Sequence, residues 1–146
     1  MSLQIELLEN SFDLIAPQGD LLMDTFYSKL FEVAPSVQPL FASVDLKKQK
    51  GMLLSALVLV RKSLRDLPSI VPALQAMGAR HVKYGTEDAH YAVVGQVLLA
   101  SMAAIAGDAW KAEYTNAWAD AYNVVASTMI AGAAEARAAA APATHA

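Results

Sequence analysis

Apolar residues recur every three or four positions along nearly the whole chain, and strict two-residue alternation is absent. That spacing lines up apolar side chains on one face of a 3.6-residue repeat, whereas a half-buried strand needs a period of two. The chain is therefore expected to be all-α. Ser2 caps a first helix whose face is Ile5, Leu8, Phe12 and Ile15, broken near Pro17-Gln18-Gly19. Asp20 caps a second, which carries Leu22, Phe26 and Leu30 with Tyr27 beside them. Ala34-Pro35-Ser36 ends it, because proline has no N–H to give the previous turn. A turn from Val37 to Phe41 and a polar corner from Ala42 to Asp45 lead into a third helix, from about Leu46 to Leu64. Asp66-Leu67-Pro68-Ser69 breaks the pattern, and Ile70 to Val82 reads as a shorter helix entered through Pro72 and stopped by Tyr84-Gly85-Thr86. Glu87 and Asp88 then open a helix with Tyr91, Val94, Leu98, Met102 and Ile105, ending at Gly107-Asp108. The last helix carries Trp110, Tyr114, Trp118, Tyr122, Val125 and Met129.

A chain of 146 residues suits one compact domain. We expect that domain over residues 1–137 and an alanine-rich tail, frayed and without fixed structure, over 138–146. The Gly51 to Val60 run is broken by Ser55 and stops at Arg61-Lys62, so no membrane span is expected. Met1-Ser2-Leu3-Gln4 has no basic region ahead of an apolar one, so no signal peptide is expected either. The absence of cysteine excludes disulfides, thiolate metal sites and a cysteine nucleophile. A net charge of −3 with no basic cluster argues against a nucleic acid partner. These features suit a soluble cytoplasmic protein.

The chemistry concentrates in Arg80-His81, Lys83-Tyr84-Gly85 and His90-Tyr91-Ala92-Val93-Val94-Gly95-Gln96. A histidine near the end of one apolar helix can offer one ring nitrogen to a metal while a neighbour holds the other. His81 shares a face with Leu74 and Met77, and the Met77 carbonyl is placed to accept from the ring. His90 follows Glu87-Asp88 at a polar helix start and has no such apolar pair, and His145 lies in the tail. His81 is thus the candidate metal ligand. Three further landmarks are Thr25-Phe26-Tyr27, Pro39-Leu40-Phe41, and Gln49 with Leu53, four apart on one helical face. Each also has a plainer reading. Gln49 after Lys47-Lys48 suits a solvent-facing glutamine, Phe41, Val94 and Leu98 suit ordinary core, and Arg80 suits an exposed helix charge.

Taken together, over residues 3 to 135, these landmarks resemble the bacterial globins, the family of single-domain bacterial haemoglobins and of the globin half of flavohaemoglobins. The resemblance implies a globin fold, helices packed around a haem pocket, with haem b (iron protoporphyrin IX) as cofactor and His81 as its axial ligand. On the proximal side it gives Tyr91 as a second partner for His81. In that family a glutamate late in the last helix completes the set; its place falls on Ala133 here, and Glu135 is turned away by roughly 200°. On the distal side Tyr27 and Gln49 would donate to the gas and Leu53 would cover the iron; Gln49 stands thirty-two residues before His81, the family's spacing. Phe41 would stack on the porphyrin, Met77, Val94 and Tyr122 would line the pocket with Val60 and Leu98, and Arg80 would pair with a propionate.

The function implied is reversible binding of dioxygen, with CO and NO as other diatomic ligands. NO oxidation to nitrate is a further reaction, for which no side chain acts as a catalytic group and which needs an electron donor. Since the sequence stops soon after its last helix, a separate reductase is expected. Two other classes compete. A haem-based gas or redox sensor needs an output domain, and none is visible in the chain. A cofactor-free helical interaction module keeps the core but has no use for polar residues at both Tyr27 and Gln49.

Overall fold

A computed structural model of the protein describes residues 4–42, 45–83 and 86–140. Among the described residues the fold is all-α, as the periodicity predicts. The long helices are α1 (Ile5–Ile15), α2 (Gly19–Val33), α3 (Leu46–Lys62), α4 (Val71–Lys83), α5 (Asp88–Ala106) and α6 (Ala112–Ala140), joined in part by short 3-10 turns. The expected Ser2 cap, most of the polar corner before Asp45, the Tyr84-Gly85 stop and His145 lie outside the described residues.

Some helix ends differ from the sequence reading. Asp20 caps nothing: a 3-10 turn at Ala16–Gln18 runs directly into α2, and Asp20 sits in the first turn. Its carboxylate there faces the positive end of the helix dipole. Asp45 is a true cap, accepting from the N–H groups of Lys47 and Lys48 at 3.1 and 3.3 Å. Trp110 precedes α6 and donates through Nε1 to Thr115 Oγ1 at 2.8 Å. At the other end α6 continues through residues 138–140, where a frayed tail is expected. Alanine has the highest intrinsic helix propensity, so a packed helix extends readily into an alanine run.

The helices close on two crossings and a buried polar pin. Leu8, Phe12 and Ile15 of α1 pack inward, and Trp118 of α6 donates through Nε1 to the buried Ser11 Oγ at 2.8 Å. Ser11 passes its own proton to the Leu7 carbonyl at 2.6 Å, so both donors of this Trp118–Ser11 relay are paired. The most extensive contact in the molecule joins α4 to α6. A Cβ on Gly78 would collide with the Met129 carbonyl oxygen, and one on Gly132 with the Gln75 carbonyl oxygen. Glycine at both positions lets the two backbones touch, which fixes α4 and everything it carries. α3 packs Leu57 and Val60 into the core and is tied to α1 and α2 by ion pairs of Arg61 with Glu9 and Asp13 and of Lys50 with Asp24, with Arg65 just beyond it pairing with Glu9. It barely meets α4, and the gap between them is the cavity described below.

One expectation needs correcting. Residues 88–109 are long and apolar enough to cross a membrane, by length and composition alone. The sequence reading weighed the Gly51 to Val60 run and passed over this one. In the fold it packs against α1, α2 and α6 with Tyr91, Gly95, Val97, Leu98, Ser101 and Met102 buried.

Candidate functional site: a cavity between α3 and α4

A cavity of about 1070 Å³ opens between α3 and α4 and is closed behind by α2, α5 and α6. It lies at the upper end of the range for small-molecule and cofactor sites. Its walls are mostly apolar, with Phe26, Leu30, Leu57, Val60, Leu74 and Leu98 among them. The candidate residues read from the sequence all border it. Tyr27, Phe41, Gln49 and Leu53 come from the α2 and α3 side; Met77, Arg80 and His81 come from α4; Tyr91, Val94 and Tyr122 come from the rear.

His81 is half-buried, and its Nδ1 lies 2.5 Å from the Met77 carbonyl oxygen. A carbonyl can only accept, so Nδ1 carries the proton and Nε2 the lone pair. Burial holds the imidazole below the ordinary histidine range, the Met77 carbonyl opposes that, and the Arg80 charge adds to it. The ring is thus kept neutral, the form that ligates metals. Among the described residues there is no group of three or more His, Cys, Asp or Glu able to hold a bare ion. A metal at His81 would need its other ligands from a cofactor, and a flat apolar macrocycle suits these walls. The residues therefore fit a haem.

Opposite His81, Tyr27 is buried and locked by rings on two sides. Phe26 meets it edge-on at 4.9 Å and Phe41 at 5.7 Å between centroids. Burial pushes its hydroxyl up to about 12, while hydrogen bonding with Gln49 pulls the other way. Near neutral pH it is a protonated donor. Gln49 is half-buried and borders the cavity. Arg80 is exposed at the cavity edge with no ion pair among the described residues.

The proximal surroundings correct one expectation. Tyr91 does not hydrogen-bond His81: the rings are 6.4 Å apart, tilted by 40°, and the buried Tyr91 hydroxyl has no partner among the described residues. Ala133 is buried and Glu135 is exposed, so the rotation read from the sequence is seen in the fold. Tyr122 donates to the Tyr91 carbonyl at 2.6 Å. Its ring crosses Gly95 so closely that a Cβ there would lie 2.6 Å from Tyr122 Cε2. His90 reaches the cavity edge, but its Nδ1 accepts from the Glu87 N–H at 2.9 Å in a capping box. Sequence reasoning missed Met52, Lys48 and Met129 as cavity residues. Met52 lies three positions after Gln49, so the same helical stripe was the available signal.

With this geometry in hand, the comparisons are direct. The family profile described as Globin matches residues 24–129. A flavohemoprotein of Bacillus subtilis is 27% identical over 128 residues, covering 86% of this chain and 32% of that protein. One from Bacillus thuringiensis is 30% identical, covering 86% and 31%. The chain thus spans about a third of the length of these curated relatives. Among solved structures, an engineered carbene transferase from Rhodothermus marinus superposes with a TM-score of 0.84 at 23% identity, covering 92% of this chain and 94% of that one. A bacterial globin from Campylobacter jejuni superposes at 0.79 and 23%, covering 90% and 95%. The fold is the one these structures share.

Proposed function

Since this chain belongs to the globin family, we propose that it is a haem globin whose cavity holds haem b and takes dioxygen reversibly. The observation that carries this is the pairing across one apolar cavity of a neutral imidazole, His81, with two polar side chains, Tyr27 and Gln49. Haem supplies an iron that binds diatomic gases and shifts electron density onto dioxygen. The rest falls to the side chains. His81 ligates through Nε2, with Nδ1 anchored on the Met77 carbonyl. Tyr27 and Gln49 donate toward the negative charge that develops on the gas, from positions already fixed by packing. Leu53, half-buried on the Gln49 stripe, keeps water away. Phe41 and the rear-wall residues Val94 and Tyr122 would hold the macrocycle, and Arg80 at the rim would pair with one of its carboxylates.

NO dioxygenation is the reaction proposed for this site, with its electron supplied by a reductase partner and the cytoplasm as its compartment. The flavohemoprotein relatives support that reading by likeness over one third of their length. A cofactor-free interaction module does not account for a cavity this large with donors on one wall and an imidazole on the other. Absorption spectra of the purified protein test the proposal: a ferric Soret band that shifts on reduction and again with CO supports it. A protein that takes up no haem, even when haem is added, overturns it.

A further inference from the structure

The segment after His81 is tied to the far end of α6. The Thr86 amide donates to the His81 carbonyl at 3.1 Å. The Thr86 carbonyl in turn accepts from Arg137 Nη2 at 3.1 Å, while Arg137 Nη1 donates to Asp88 Oδ1 at 3.3 Å. One guanidinium therefore joins a backbone carbonyl just beyond α4 to a carboxylate on the first turn of α5. A planar fork with several fixed donors can make both bonds at once, which a single ammonium on a flexible stem does poorly. The long α6 is what brings Arg137 here, in the part of the helix beyond the Gly78 and Gly132 crossing. Asp88 also lies three residues before Tyr91, on the same side of α5.

We infer that Arg137 is a positioning residue for His81: by holding Thr86 and Asp88 together it fixes the carbonyl end of His81, and with it the angle of the imidazole in the cavity. This rests on the reading of His81 as the axial ligand. The Met77 carbonyl anchors the ring from within α4; the Arg137 latch anchors the end of the same helix from outside. Because both charged side chains are exposed, the effect of losing the latch is modest.

The test compares Arg137→Gln, Arg137→Lys and Asp88→Asn with the parent protein. In the cofactor-free chain, NMR follows exchange of the Thr86 amide and the ring nitrogen resonances of His81. In the haem-loaded ferrous protein, resonance Raman follows the iron–histidine stretch. Arg137→Gln is expected to speed Thr86 exchange about two- to fivefold, the scale of one exposed pair, and to move both His81 signatures. Asp88→Asn keeps the Thr86 bond and moves them less; Arg137→Lys restores only part. If Arg137→Gln leaves the His81 resonances and the Raman band in place, even with a lower Tm, Arg137 is only a surface ion pair and the inference is overturned. If no haem is taken up, the cofactor reading fails separately, and the His81 ring resonances alone decide the latch.

Discussion

Gly78 on α4 lies against the Met129 carbonyl oxygen of α6 with no room for a side chain between them. Since His81 sits one turn further along α4, this contact sets how far the imidazole reaches into the cavity. Gly78→Ala gains helix propensity, about 1 kcal/mol, but forces the two backbones apart. The net expectation is a loss of about 1–3 kcal/mol in urea unfolding, the usual scale of overpacking. Gly51→Ala is the control: its Cβ would meet nothing within 4 Å, so stability should rise by about 0.5–1 kcal/mol. Equal effects at the two sites would show that α4 and α6 are not in close contact.

Tyr27 and Gln49 together should govern how long oxygen stays. A hydrogen bond to a partly charged acceptor in a dry cavity is worth ~1.5–3 kcal/mol. Tyr27→Phe should thus speed oxygen release by roughly tenfold to a hundredfold in stopped flow. Gln49→Leu should do less, because Tyr27 still donates. CO is less polarised and should respond weakly to both. An unchanged release rate in Tyr27→Phe would reduce the tyrosine to a packing residue against Phe26 and Phe41.

The orphaned Tyr91 hydroxyl gives a prediction of opposite sign. A buried donor without an acceptor costs about 1–3 kcal/mol, so Tyr91→Phe should leave stability unchanged or raise it by about 1 kcal/mol. A loss of more than that in urea titrations would mean that the hydroxyl is hydrogen-bonded in solution.

Tyrosine burial also fixes the alkaline limb of stability. Burial pushes the Tyr27 hydroxyl from its ordinary 10.0 up to about 12, and raises Tyr91 and Tyr122 as well. Between those values the unfolded chain has lost protons that the folded chain keeps. Stability is therefore intact below pH 10 and declines as pH rises from 10 toward 12. Tyr27→Phe should make that decline shallower in unfolding free energies measured across the range. A slope indifferent to the substitution would place Tyr27 in water.

The helix order was legible because apolar periodicity survives in any packed helix, whereas Tyr27, Phe41, Gln49 and Tyr122 were legible as cavity residues only through the resemblance to bacterial globins. Leu74, Met77 and His81 share a face whatever α4 packs on. Contacts between helices were not legible. Gly78, Gly95 and Gly132 look like weak helix positions until their partners are seen. The Asp20 cap failed because a 3-10 turn entered α2 two residues earlier than the capping residue suggested. The Tyr91 ring lies 6.4 Å from that of His81, and whether its hydroxyl reaches a partner depends on ring tilt, which spacing does not encode.

The central claim is that His81 alone of the histidines holds the cofactor, and the absorption spectrum of two variants tests it most directly. His81→Ala should take up no haem stably, or take it up weakly with rescue by added imidazole. His90→Ala loses one half of a capping box and should keep the parent Soret band. A His81→Ala protein with the parent spectrum, beside a His90→Ala protein without it, would contradict the account.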